Sequence, residues 1–434
     1  MNRARSSSAA RDGFSRLEVA WRIGEIVKRV YFASKPRRDG SPPSLGTLLA
    51  RLKLEESDFD ESALVALRAH ARAVCQERPK CGACPLVSFC STGKQRVKQS
   101  AAPVVVDLFA GAGGMGRGFR KAGFRVGLAI EMDAEAAQTY RLNNPGVVVV
   151  ERDIRRVTAR DIMSVIGARP AVICAGPPCQ SYSVAGARES RDPRHNLFKH
   201  VLDVARVLKP EVVLIENVPG INRRVGRKNY KDVVETRLGE HFEVEVHLLR
   251  ALDYGVPQQR RRYFFLGRNK SLSAIGEPRK THREKGQGGG LPEAPTVMDA
   301  LRGLPRRPQG SVRDWSRLGD GRVVWNMATM RHSRRVVKKI MRLKSGEGPL
   351  SYRRVSRKYA NTIIAGHRAL PVHPTLHRTL SVREAATIQG FDESYSFLGT
   401  RANQPLQVAN AVPPPLAYGI ARRIMTRLKQ RAGG

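Results

Sequence analysis

Between residues 103 and 267 short apolar runs alternate with stretches of helical spacing, and no other feature narrows the fold as much. Residues 104–109, 125–131, 147–150, 171–175, 212–216, 242–249 and 263–267 read as strands, with helical stretches between most of them. Apolar strands of this kind, joined by helices, build a largely parallel, doubly wound α/β sheet of the Rossmann type. Such a sheet places its chemistry in the crevice beyond the carboxyl ends of its strands, so the residues that follow each strand are the informative ones.

The first strand runs into Asp107-Leu108-Phe109-Ala110-Gly111-Ala112-Gly113-Gly114-Met115-Gly116. Gly111, Gly113 and Gly116 satisfy G-x-G-x-x-G, and Glu131, ending the second strand, stands where a ribose-binding acid belongs. Asp153, after the third strand, suits an adenine amino group. This pattern fits a dinucleotide and an adenosyl cofactor equally well, because both hold a ribose on a carboxylate. The strand 171–175 runs into Gly176-Pro177-Pro178-Cys179-Gln180. Neither proline can donate to a ladder, so the strand stops and a thiol is set on a rigid turn at the root of a small, polar stretch. A lone cysteine is more often a small buried hydrophobe; the neighbouring strand ends favour a reactive one here. Glu216 closes the strand 212–215 and can reach the same crevice, although by itself it would read as a surface acid. Gln258-Gln259-Arg260-Arg261-Arg262 leads into the last strand, where Arg260 and Arg262 are expected on one face, suited to phosphate or carbonyl oxygens.

Charge bears on the partner. The chain has 77 Lys and Arg against 38 Asp and Glu, a net charge of +39, which points to a polyanion and first to nucleic acid. Segment 268–375 loses the strand–helix alternation, and residues 268–358 hold 23 Lys and Arg against 7 Asp and Glu. A small nucleic-acid-facing domain is expected there, over 271–375. Order returns in 376–434, with a helix over 381–389 capped by Ser381 and Glu384 and a last helix over 415–429. No apolar run reaches the ~18 residues of a membrane span, and the first residues carry no apolar signal core, so a cytoplasmic protein is expected.

In order and spacing these pieces resemble the cytosine carbon-5 DNA methyltransferase family, over about 103–267 and 376–434. Asp107 to Gly114 looks like its S-adenosylmethionine loop, which implies cofactor contacts at Asp107, Phe109, Gly111 and Gly113. Glu131 and Asp153 fall where the family binds the ribose and the adenine, and Met132, Ile154, Pro178, Leu197, Asn410 and Ala411 are the further contacts implied. Pro177-Pro178-Cys179-Gln180 matches the nucleophile motif, Glu216-Asn217-Val218 its partner, and Gln258 to Arg262 the Q-x-R-x-R motif. Arg378 to Ala386 and Gln407 to Pro414 match the last two blocks, with Ala409 where the family usually has glycine. The resemblance implies that Cys179 adds to carbon 6 of a flipped-out cytosine, Glu216 holds or protonates ring N3, Arg262 contacts the base carbonyl, and Arg260 helps position the base and the Cys179 turn. It implies duplex DNA as substrate, a monomer, a target-recognition domain in the basic segment, and allows a paired restriction endonuclease. One branch of the family modifies tRNA, but the long basic insert favours DNA. Intact Cys179 and Glu216 argue against an idle DNA-binding protein, and Pro-Pro-Cys-Gln against a dehydrogenase.

Residues 1–100 form a separate, helical unit. Its Cys75-x5-Cys81-x2-Cys84-x5-Cys90 set can hold zinc or a 4Fe–4S cluster. With His70 to Val74 before it, the stretch resembles the iron–sulfur tail of the endonuclease III family, whose first gap usually has six residues rather than five. A detached cluster module that stiffens a basic loop for DNA backbone contact is expected, not a second enzyme.

Overall fold

All five residues of β1, Val104–Leu108, are buried, so the strand is covered on both faces. The computed structural model describes residues 102–144, 146–178, 197–222, 224–225, 228–349, 352–364 and 370–432. Cys179 and the four clustered cysteines Cys75, Cys81, Cys84 and Cys90 lie outside these described residues.

Around β1 stand β2 (Arg125–Glu131), β3 (Val148–Glu151), β4 (Val172–Ala175), β5 (Val212–Asn217), β6 (Glu243–Arg250) and β7 (Arg261–Arg268). They form one seven-stranded sheet in the order β3-β2-β1-β4-β5-β7-β6. The first five run parallel. The β6–β7 hairpin closes one side, with β7 antiparallel to β5. The expected largely parallel α/β sheet is therefore found, with an antiparallel edge unit.

Side-chain alternation sorts the helices onto the two faces. Val105, Val126, Cys174, Leu214 and Phe264 join Phe119 of α1 (Gly114–Lys121), Tyr140 of α2 (Ala134–Asn143) and Ile420 and Ile424 of the long C-terminal helix in one core. Val106, Leu128, Ile173, Val213 and Phe265 join Ile162 of α3 (Ala159–Ile166), Val201 of α4 (Leu197–Leu208) and Leu238 of α5 (Tyr230–Gly239) in the other. The strand order reverses between β1 and β4, so the crevice opens there, between the glycine turn and Gly176-Pro177-Pro178.

After β7 the described chain has little regular structure: α6 (Val297–Ala300), a two-stranded ladder of β8 (Trp315–Arg317) and β9 (Val323–Trp325), and α7 (Arg334–Met341). Leu304, Leu318, Val324 and Met327 make a small core of their own. Val297, Val355, Ala360 and Ile363 instead pack with α8 (Val382–Ile388) and α9 (Gln404–Asn410), so the apolar core runs through position 375 without a break. The capping box expected at Ser381 and Glu384 is present, and α10 spans Pro414–Ala432.

Candidate active site

The turn after β1 is shaped by contacts that only glycine permits at two points. Gly113 has φ 94°, and a Cβ on Gly116 would stand 2.0 Å from the Tyr140 hydroxyl. Phe109 also has a positive φ, 54°, a conformation that costs a non-glycine residue ~1 kcal/mol and marks a constrained turn. At Gly111, by contrast, nothing lies within 4 Å of where a Cβ would be. The turn is thus packed from behind and open in front. Its Gly111 N–H donates to Glu131 Oε2 at 2.7 Å, and the Asp133 N–H to Oε1 at 2.8 Å. Burial raises the Glu131 carboxyl, and those two N–H donors oppose the rise. Met132 beside it is 72 % exposed. Asp153 is held low, to about 2, by the Arg155 side chain and backbone N–H, while Ile154 is buried.

Asp107 is not at the open side. It is 1 % exposed, accepts from the Tyr140 hydroxyl at 3.0 Å and from Cys174 Sγ at 3.4 Å, and lies under the turn. Burial lifts its carboxyl from 3.8 to about 7, against the pull of both hydrogen bonds. A carboxyl raised on folding favours the fold below its unfolded value and loses that advantage as pH climbs through the folded one. Wild-type stability is therefore expected to fall by about 4 kcal/mol more than that of Asp107→Asn between about pH 4 and pH 7, in urea melts across that range. Parallel curves for the two proteins would refute it.

Glu216, next to last in β5, is 9 % exposed, and its Oε1 meets Arg262 Nε at 2.8 Å. Its other oxygen faces the turn after β4: a Cβ on Gly176 would lie 3.6 Å from Oε2. Glu216 and Arg262 are thus brought together at the root of the Pro177-Pro178 turn, with Pro178 exposed. Arg260, expected to help position the base and the Cys179 turn, also reaches α9. It is 1 % exposed and donates from Nη1 to the Ala409 carbonyl of α9 at 2.9 Å. Leu197 opens α4 and is half-buried. Asn410 is exposed at the end of α9, and Ala411 is buried. The next residue crosses directly over the glycine turn: a Cβ on Gly114 would stand 2.2 Å from the Val412 carbonyl oxygen.

Several residues that hold this arrangement gave no sequence signal as a group. Gln258 is fully buried, donating to Gln389 Oε1 at 2.7 Å and accepting from the Ile363 N–H. Gln389 in turn donates to the Ala411 carbonyl at 2.7 Å. Tyr395 donates to the Ala112 carbonyl at 2.5 Å and accepts from Asn144. All but the Gln389–Ala411 bond couple positions more than 100 residues apart, which local pattern does not reveal.

A twisted sheet of this order, with an open glycine turn and a Glu–Arg pair beside a Pro-Pro turn, defines a nucleotide-cofactor enzyme of the methyltransferase type. The sequence profile of C-5 cytosine-specific DNA methylases matches residues 104–426, so the chain belongs to that family and is an enzyme that methylates cytosine in DNA. It is 32 % identical over 371 residues to Type II methyltransferase M.DdeI of Desulfomicrobium norvegicum, covering 74 % of this chain and 88 % of that one. It is 33 % identical over 340 residues to Type II methyltransferase M1.HphI of Haemophilus parahaemolyticus, covering 74 % and 86 %. Among solved structures, the Dnmt2 methyltransferase of S. pombe shares the fold, with TM-score 0.55 and 19 % identity over 75 % of this chain and 99 % of the other. The first 103 residues lie outside the family match. Among the described residues no metal-holding group occurs, and no helix is long and apolar enough to cross a membrane.

Proposed function

We propose that the chain methylates carbon 5 of a cytosine flipped out of duplex DNA, through a covalent Cys179 adduct. The observation that carries this is the Glu216–Arg262 pair set against the Gly176 turn, in the same crevice as the open face at Gly111. S-adenosylmethionine, the methyl donor expected for the family, supplies an electrophilic methyl group when bound. The residues fit it: Phe109, Gly111 and Gly113 give the open turn, Glu131 and Met132 the ribose side, and Asp153 and Ile154 the adenine side. Pro178, Leu197, Asn410 and Ala411 close the remaining walls. Asp107 shapes the turn from beneath. Carbon 5 of cytosine is a poor nucleophile, and Cys179 adding to carbon 6 makes it enamine-like. Glu216 holds or protonates N3 as charge develops there, and Arg262 orients Glu216 and contacts the base carbonyl. Arg260 is a positioning residue, fixing α9. A base then removes the carbon-5 proton and Cys179 leaves.

The test is transfer of labelled methyl from S-adenosylmethionine into genomic DNA and, in parallel, total tRNA, with the product base identified. Label as 5-methylcytosine in DNA is expected, and label in tRNA alone would overturn the substrate.

Segment 271–375 is proposed as the target-recognition domain, and residues 376–434 as the return to the catalytic domain of 101–270. Its exposed charges are expected to make affinity for duplex DNA fall ~10³-fold or more between about 50 and 200 mM salt, if six or more phosphates are met. A flat titration would count against that assignment. Residues 1–100 are proposed as a 4Fe–4S module on Cys75, Cys81, Cys84 and Cys90, on the strength of their spacing. Iron and acid-labile sulfide in the anaerobically purified protein are expected; zinc alone would replace the cluster with a zinc site. The enzyme is proposed to act as a cytoplasmic monomer, and a restriction endonuclease cutting the same site is the partner that relatives named Type II methyltransferases suggest.

A further inference from the structure

We propose that Arg313, stacked on Trp315, reads a guanine in the major groove of the target site. This rests on the reading of segment 271–375 as the DNA-facing domain. Arg313 is exposed, and its guanidinium carbon stands 3.5 Å from the centroid of the Trp315 ring. No carboxylate pairs with it among the described residues, whereas Arg302 and Arg322 each have one. Stacking occupies only the face of a guanidinium. The N–H donors lie in its plane and stay free, which is the geometry that meets guanine O6 and N7 together.

The stack also fixes where those donors can be. A free arginine loses much rotamer freedom on binding, whereas one already laid on an aromatic ring loses less. The platform is itself braced to the catalytic core. Arg307 Nη2 donates to the Trp315 carbonyl at 2.9 Å and to the Arg313 carbonyl at 3.3 Å. Arg378 Nε donates to the Arg307 carbonyl at 2.7 Å, and Arg378 is gripped by Glu384 through two hydrogen bonds, at 2.7 and 2.8 Å. From the other side Arg401 Nη2 donates to the Val312 carbonyl at 2.9 Å. Val312 is 72 % exposed, so the neighbour of Arg313 is an apolar side chain held in solvent. An unpaired cation on an aromatic platform, tied rigidly to the block that carries α8, is built for registration. A phosphate contact needs charge alone and would be served as well by the exposed lysines of α7, Lys338 and Lys339.

The experiment is a binding selection from a randomised duplex library, with the wild-type chain, Arg313→Ala and Trp315→Leu, and methyl transfer measured alongside. The wild type is expected to enrich a site with an invariant guanine. Arg313→Ala is expected to relax that one position by about 10- to 100-fold while keeping the others, and Trp315→Leu to relax it less. A duplex with 7-deazaguanine at that position is expected to weaken wild-type binding and to leave Arg313→Ala binding unchanged. Equal weakening at all sequences, with the salt slope reduced by about one, would make Arg313 a phosphate contact and overturn the proposal. Retained guanine preference in Arg313→Ala would overturn it as well. A wild type that enriches a site but transfers no methyl would leave Arg313 standing and refute the catalytic reading instead.

Discussion

Cys179→Ala is expected to lower methyl transfer by at least ~10⁴-fold while S-adenosylmethionine and DNA affinities stay within a few-fold of wild type. The size follows from the chemistry. Without a group adding to carbon 6, carbon 5 keeps the electron-poor character of an aromatic pyrimidine ring, and no amount of positioning supplies the missing electrons. Retained binding is expected because Glu131 holds the glycine turn and Arg307 holds the Trp315 carbonyl of the Arg313 platform. Cys179 comes three residues after Gly176 in the sequence, and a Cβ on Gly176 would lie 3.6 Å from Glu216 Oε2. Single-turnover kinetics with equilibrium binding on the same duplex separate the two effects. Transfer near the wild-type rate in the alanine protein would remove Cys179 from the nucleophile role.

The second large effect is expected at the Glu216–Arg262 pair. Glu216→Gln keeps the shape and removes the charge, and a loss of ~10²- to 10³-fold in transfer is expected, the usual scale for one preorganised group that stabilises developing charge. Arg262→Leu acts on both levels. It removes the partner at 2.8 Å and leaves a carboxylate that is 9 % exposed without its cation. Breaking a buried pair from one side costs ~3–5 kcal/mol, so Arg262→Leu is expected to unfold at much lower urea than Glu216→Gln. The double variant should recover part of that stability without recovering activity. Equal stability of Arg262→Leu and wild type would mean that the pair is solvated in solution and does not orient the acid.

The strand ends were legible in the sequence because each is a local event. The turn at Gly111–Gly116 follows an apolar run, the prolines at 177 and 178 stop one, and Ser381 with Glu384 forms the capping box its spacing implies. The arginines were less legible, because composition does not distinguish a cation in water from one buried on carbonyls. Arg354 counts toward the basic segment, yet it is buried and donates to the carbonyls of Ile340, Leu343, His373 and Leu376. Arg383 is fully buried, with the Trp325, Asp392 and Tyr395 carbonyls as acceptors. Arg260 and Arg262 were expected to act together, and alternation along an extended strand was the reason. Arg260 precedes β7 and turns to Ala409, while Arg262 lies within it and meets Glu216. Contacts between distant segments decide such cases, and a single sequence does not display them.

The closing of the chain over its own first turn sets a condition on how the protein is made. Val412 lies against Gly114, Tyr395 bonds to Ala112, and Ile420 and Ile424 share a core with Phe119. A nascent polypeptide leaving the ribosome therefore carries a glycine turn without its backing until some three hundred further residues have been translated. Messages cut short before codon 412 would leave the glycine turn without its backing and one face of the sheet without α10. Methylating power would then appear only once translation has passed that point, so that shorter products do not modify DNA.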